Sequence, residues 1–375
     1  MDRMSAGGIF SELCGIGSNS LEEADVARVV RRQLDALSID WDEDDAGSAI
    51  GGNCGNTFAR IPDRDGNHKG AVMLCAHLDT VPPVGNPQPQ LVDGVWSNGA
   101  DGILGADNKA AVTAILAAAS HWSDEPPVVP IEILFTVAEE CSLLGAKHFD
   151  LGKSQAKVAF VFDHPTPIGT LVSSSPTHYS IVADFIGTAA HAGVAPLDGR
   201  SAIRAAALAI SSSPHAAPAE NATANIGRIK GGTGVNVVAE HCRIEGEVRA
   251  LDPSIATELV SQMTEACNQA ANDVGCSVDI TIERSFEGYV HSDEHLGLQV
   301  GKAALELLGV SPVGIFSAGG ADVNVFEAAG VPSLNLGDGS LDTHTSHERI
   351  ADSDLNRLVE LAISLPEAVR SVSRG

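Results

Sequence analysis

Positive charge is what this chain has least of. Its 375 residues hold 23 Lys+Arg against 49 Asp+Glu, a formal charge of −26. A surface of that sign repels phosphate backbones and anionic headgroups, which argues against nucleic acid or an acidic membrane as partner. Long apolar runs are also missing: the longest small-apolar run, Ala110–Ala119, is far too short to span a bilayer. Met1-Asp2-Arg3 is not followed by an apolar segment, so secretion is not expected. There is no C-x-x-C, and the seven Cys (14, 54, 75, 141, 242, 267, 276) are odd in number and scattered. They read as reduced thiols of a cytoplasmic protein, neither a disulfide framework nor a thiolate metal site. No internal repeat or low-complexity tract is present. Gly231-Gly-Thr-Gly234 lacks the G-K-[ST] ending of a phosphate loop.

What is there is enough apolar residue, 44%, for sizeable cores, in a chain longer than one core usually supports; two domains are expected. The stretch Val72–Pro82, VMLCAHLDTVP, sets the pattern. A short apolar run bounded by polar residues and Pro reads as a buried strand. Ligands of open α/β sheets gather just past the carboxyl ends of strands, where His77 and Asp79 fall. Strand alternation puts both side chains on one side. They are either a structural pair, or a metal ligand and the carboxylate that orients it from behind.

The pattern recurs. Asp107 stands at or just before the N-terminus of an Ala-rich helix, Ala110 to about His121, where its ordinary role is an N-cap. The apolar strand Pro130–Ala138 ends in Glu139-Glu140, adjacent carboxylates that repel unless a cation or shared proton intervenes. The strand Lys157–Phe162 ends in Asp163-His164. An α/β sheet thus has a carboxyl edge crowded with His and carboxylates, a donor set suited to Zn²⁺, Mn²⁺ or Co²⁺ in a catalytic role.

Elsewhere, Ser20-Leu-Glu-Glu23 reads as a capping box opening a helix to about Leu37. Edge-type strands around Asn56–Ile61 and Ala71–Ala76 flank a turn Asp63–Lys69 with Asp65-Gly66 at its tip. Within 177–285 the order is strand, helix, strand, strand, helix, strand: His178–Ile186, Gly199–Ser212, Ala222–Ile229, His241–Ala250, Pro253–Val274 and Ser277–Glu283. That is a ferredoxin-like βαββαβ unit, inserted into an α/β sheet domain made of 1–176 and 286–375. In the returning segment, helices are expected at His295–Leu308, Ala321–Ala329 and Asp352–Ser371, and a strand at Val331–Leu336. The loop Gly337–Glu348 holds His344 and Glu348.

HLDTVP at His77–Pro82, GADNKAA at Gly105–Ala111, FTVAEE at Phe135–Glu140, Asp163 and HTSHE at His344–Glu348 together resemble the zinc-dependent aminoacylase/carboxypeptidase/peptidase T family of two-metal peptidases. Ser142–Lys147, AAHAGVAP at Ala189–Pro196 and GGADVNVF at Gly319–Phe326 are similar to its peptidase T-like branch. The resemblance covers nearly the whole chain. It implies that His77 and Asp163 hold one metal ion, Glu140 and His344 the other, and that Asp107 bridges both. Asp79 would orient His77, and Glu139 would be the general base. The inserted unit would be a lid and dimerisation domain. His191 would reach a partner subunit's substrate as an oxyanion-type donor, and Asn236 and Arg249 would contact substrate, the Arg through a carboxylate. Without that role Arg249 is an ordinary salt bridge on a sheet. His164, His178, His241 and His347 receive no role.

The resemblance implies two divalent ions, Zn²⁺ first with Mn²⁺ or Co²⁺ as alternatives, a homodimer, and a short-peptide substrate, tripeptides foremost. The turn reads GGADVN where the branch more often has GGSDAN, which bears on substrate choice more than on chemistry. The rival activity on the same metal centre is an N-acyl-amino-acid amidohydrolase, carboxypeptidase or dipeptidase. A rival of another class is a metal-stabilised binding protein without turnover, against which an intact Glu139 and ligand set argue.

Overall fold

The computed structural model describes residues 5–66, 70–83, 85 and 87–372. Chain contacts divide it into two units: Ser174–Val290 with Ala318–Gly320, and the remainder. The inserted unit therefore opens a few residues before 177 and closes a few after 285.

The larger unit is built on a mixed sheet in the order Trp41–Glu43, Thr57–Ile61, Ile131–Thr136, Ala71–His77, Ala156–His164, Ser333–Gly337, Thr170–Ser175. Its four central strands are mutually parallel. Every residue of Ala71–His77 and of Ile131–Thr136 is buried, as expected of parallel strands covered on both faces. The helices Ala6–Cys14, Ala106–Asp124 and Asp352–Val372 pack into the same core. Each fully buried Leu or Phe there contributes about 1.5–3 kcal/mol. Among the described residues no helix is long and apolar enough to cross a membrane.

Two expectations are corrected. Ser20 does not cap a helix. The helix is Ala24–Ala36 with Glu23 at its N-cap position and no side-chain cap bond; Asn53 Oδ1 accepts from Ala24 N instead. Thr57–Ile61 and Ala71–His77 are not a hairpin of edge strands, because Ile131–Thr136 lies between them, antiparallel to the first and parallel to the second. Residues 67–69 of the expected turn lie outside the described residues. Asp107 lies just before the continuous part of helix Ala106–Asp124, its backbone non-helical at φ −79°, ψ 101°.

A separate four-strand sheet has the order Ser340–Leu341, Arg349–Ala351, Val95–Asn98, Pro89–Val92. Its first two strands form the base of the loop that carries His344, and the third pairs with the second.

The smaller unit has the antiparallel order Ala216–Ala219, Ala222–Gly231, His241–Ala250, Thr177–Ile186, Ser277–Phe286. Helices Ala202–Ser212 and Pro253–Val274 pack on it through small and apolar side chains such as Ala205, Ala209, Met263 and Cys267. The ferredoxin-like arrangement is thus present, with one additional short edge strand.

Candidate metal centre

Four parallel strands or the loops just after them deliver the chemistry. His77 is the last residue of its strand and 2% exposed. Glu139 and Glu140 follow Ile131–Thr136. Asp163 is the next-to-last residue of Ala156–His164, and His344 lies beyond Ser333–Gly337, in the left-handed region at φ 62°.

The donor atoms converge in two groups. His77 Nε2 lies 3.1 Å from Asp107 Oδ1 and 3.5 Å from Asp163 Oδ1. His344 Nε2 lies 3.3 Å from Asp107 Oδ2 and 3.0 Å from Glu140 Oε1. Asp107 therefore offers one oxygen to each group, as a bridging carboxylate does. Two ligands of one tetrahedral ion, each about 2.0–2.1 Å from it, stand about 3.3 Å apart. The spacings found match that figure, so the residues fit a pair of divalent cations. No thiolate belongs to either group. Of the seven cysteines, all unpaired, Cys141 directly follows Glu140 and is exposed, and Cys75, two residues before His77, faces Asp322.

Asp79 does more than orient His77. Its Oδ1 is 3.3 Å from His77 Nδ1 and accepts from Glu139 N at 3.0 Å. Its Oδ2 accepts from Glu140 N at 3.2 Å and from Ser20 Oγ at 2.6 Å. One buried carboxylate thus ties the first histidine to both glutamates. Burial pushes Asp79 upward, but the bonds from His77, Ser20 and Glu139 hold it below the usual carboxylate range. Glu139 is pushed well above that range by burial and by Asp163. Burial likewise carries Asp163 to about 7. Hydrogen bonds to Asp107 and Glu140 raise His344 to about 10. The cluster is a buried excess of negative charge that draws cations.

Several residues without an expected role hold this geometry. Asn335, on the neighbouring strand, accepts from Asp163 N at 3.0 Å and donates to Asp163 O at 2.9 Å. Glu23 accepts from Ala138 N, Asn56 Oδ1 accepts from Val137 N, and Asn56 Nδ2 donates to Gly145 O. Glu348 accepts from Gly105 N and Asp107 N. The backbone of Gly145 approaches so closely that an added Cβ would collide with the Val137 carbonyl oxygen. Gly145→Ala is expected to cost about 1–3 kcal/mol and to lower turnover by displacing the Glu139-Glu140 segment. Thermal unfolding beside a rate assay checks this, and an unchanged midpoint with full activity would refute it.

His291, His295 and Glu327 form another cluster with donor atoms within 4.8 Å. Its rings are stacked, centroids 3.7 Å apart and planes 14° apart. Imidazole lone pairs lie in the ring plane, so two such rings cannot aim at one ion about 2.0–2.1 Å away. His295 instead caps helix Leu296–Leu307 through Nδ1 and meets Glu327 through Nε2.

The three expected substrate residues lie in the smaller unit. His191 and Asn236 sit on adjoining segments, joined by a bridge between His191 and Val237 and by Ala192 N donating to Asn236 O. Both are exposed. His191 Nδ1 accepts from Gly193 N, which leaves the proton of a neutral ring on Nε2. Arg249 donates to both oxygens of Glu247, at 3.3 and 3.0 Å, and to Ala318 O at 2.8 Å. Residues two apart on a strand share a face, and Arg249 and Glu247 form a salt bridge on that face of the sheet.

Comparison with known proteins agrees with this architecture. Residues 73–368 match the model of peptidase family M20/M25/M40. An uncharacterized protein, YqjE, of Bacillus subtilis strain 168 is 32% identical over 359 residues, 96% of each chain. The solved structure of aminopeptidase PepT from Bacillus cereus ATCC 10987 superposes with TM-score 0.88 at 32% identity, covering 97% of this chain and 98% of that one. A tripeptidase, SAV1512, from Staphylococcus aureus Mu50 superposes with TM-score 0.91 at 31% identity over the same shares. A family match over most of the length, on a fold whose strand ends gather the family's residue types, identifies the chain as a member of peptidase family M20/M25/M40.

Proposed function

We propose that this chain is a two-metal aminopeptidase that releases the N-terminal residue of short peptides, tripeptides foremost. The observation that carries the reading is Asp107, whose two oxygens each face a separate histidine–carboxylate pair. His77 and Asp163 would hold one ion, His344 and Glu140 the other, with Asp107 between them. Zn²⁺ is the first choice for such a donor set, with Mn²⁺ or Co²⁺ as alternatives. When bound, such ions supply Lewis acidity, acidifying water and stabilising the negative charge that develops on a scissile carbonyl.

The chain's own groups do the rest. Glu139, 8% exposed and raised in pKa, accepts a proton from the attacking water and returns it to the leaving amine. Asp79 holds the Glu139 and Glu140 amides and His77 in one register. His191 Nε2–H is a donor of the kind an oxyanion needs, supplied across a homodimer. Asn236 and Arg249 contact the substrate, Arg249 by exchanging Glu247 for a carboxylate. The smaller unit acts as lid and dimerisation domain. The unpaired cysteines, five of them buried, suit a cytoplasmic protein.

Substrate choice rests on the similarity to PepT and the tripeptidase, and product analysis tests it. The metal-loaded protein is given a free-amine tripeptide, its N-acetylated form and the related dipeptide, with chelator controls. Loss of one N-terminal residue from the free tripeptide alone is expected. Release of acetate or of the C-terminal residue would reassign the chain as a deacylase or carboxypeptidase and make Arg249 the residue that sets specificity.

A further inference from the structure

Glu348 is 2% exposed and spends its whole carboxylate on backbone. Oε2 accepts from Gly105 N at 2.6 Å, and Oε1 accepts from Asp107 N at 2.8 Å. These amides lie in the turn that leads into helix Ala106–Asp124, whose backbone is non-helical at Asp107 and Asn108 and helical beyond them. The turn that carries Asp107 is therefore held from a segment more than two hundred residues away. The buried Lys109 ammonium attracts the carboxylate there.

The placement links two parts of the centre. Glu348 lies at the end of the loop that presents His344, and Glu348 N donates to Thr345 O, which keeps that loop turned. The far end of the clamp is Asp107 itself. His344 and Asp107 are neighbours in one donor group, with Nε2 3.3 Å from Oδ2. His77 and Asp163 reach their group from the central strands and depend on Glu348 only through Asp107.

We propose that Glu348 is a positioning residue that fixes the His344 loop against the Asp107 backbone and so sets the affinity of one ion, the one assigned to His344 and Glu140, more than the other. The inference rests on the two-metal reading above. Glutamine keeps the side chain's length but has one acceptor oxygen, and its NH₂ would face a backbone N–H. Removing an outer hydrogen-bonding partner of a ligand commonly costs about 10–100-fold in metal affinity.

The test is stepwise binding of Zn²⁺ to the metal-free full-length chain, unaltered and as Glu348→Gln, with His344→Ala as reference for loss of that ion. The unaltered chain should take two ions. E348Q should take the first with affinity within about threefold of the unaltered chain and the second about 10–100-fold more weakly. Two ions bound by E348Q with unchanged affinities, alongside a lower metal-free melting point, would make Glu348 structural only and overturn the proposal. An unaltered chain that takes fewer than two ions would instead remove the two-metal reading beneath it. If E348Q does not fold, hydrogen exchange of the unaltered chain decides. The Gly105 and Asp107 amides should become more protected on Zn²⁺ loading, as reciprocal coupling requires, and unchanged protection overturns the clamp.

Discussion

Glu139→Gln should abolish turnover while leaving two metal ions bound. Loss of a general base typically costs about 10²–10⁴-fold, and glutamine preserves the side chain's shape while removing its ability to take a proton. The backbone position is secure, because Asp79 Oδ1 accepts from the residue 139 amide whatever the side chain. The measurement is kcat together with metal stoichiometry. Stoichiometry matters because an oxygen of Glu139 lies within 4.8 Å of donors on His77 and Asp163, so by distance alone it could be a ligand. A variant that drops to one ion would make Glu139 a ligand, and full activity with two ions would remove it from the chemistry.

The parts of this centre that were legible in the sequence are those fixed by local patterns. Strand ends are set by runs of apolar residues, and a parallel sheet brings such ends to one edge whatever the intervening loops. His77, Glu139, Glu140 and Asp163 could therefore be placed from their strands, while pairing them into two groups needed the family resemblance. The ferredoxin-like order was legible for the same reason: its strands and helices differ in period. The residues that hold the ligands were not legible, because they bind backbone amides and carbonyls, which carry no residue-type signature. Asn335 grips Asp163 across strands and Glu348 grips the turn that leads into a distant helix. Ser20 misled for a related reason. The S-x-x-E pattern has the composition of a capping box, but its hydroxyl donates to Asp79, and Glu23 accepts from Leu21 N and Ala138 N. The Asp65-Gly66 signal favoured a hairpin, yet a parallel crossover placed Ile131–Thr136 between the two strands. A local turn cannot report that.

Asp163→Asn should move stability in opposite directions with and without metal. In the metal-free chain Asp163 shares a buried region with Asp107 and Glu140, and burial raises its pKa from 3.8 to about 7. A raised pKa means that the ionised carboxylate costs the fold stability above neutrality. A carboxyl whose folded pKa is raised contributes stability that is complete below its unfolded value and is lost as pH rises through the folded one. The chelated protein should therefore weaken between about pH 4 and 7, and Asp163→Asn should flatten that slope and raise the melting point at pH 8. With Zn²⁺ in excess the order reverses. An amide is a poor substitute for a carboxylate ligand, the ion at His77 is held more weakly, and the stabilisation that ligand binding gives to the folded state falls with it. Calorimetry at pH 8, with EDTA and with excess Zn²⁺, measures both halves. A variant less stable than the unaltered chain in EDTA would mean that the contact between Asp163 and His77 Nε2 outweighs the crowding of negative charge.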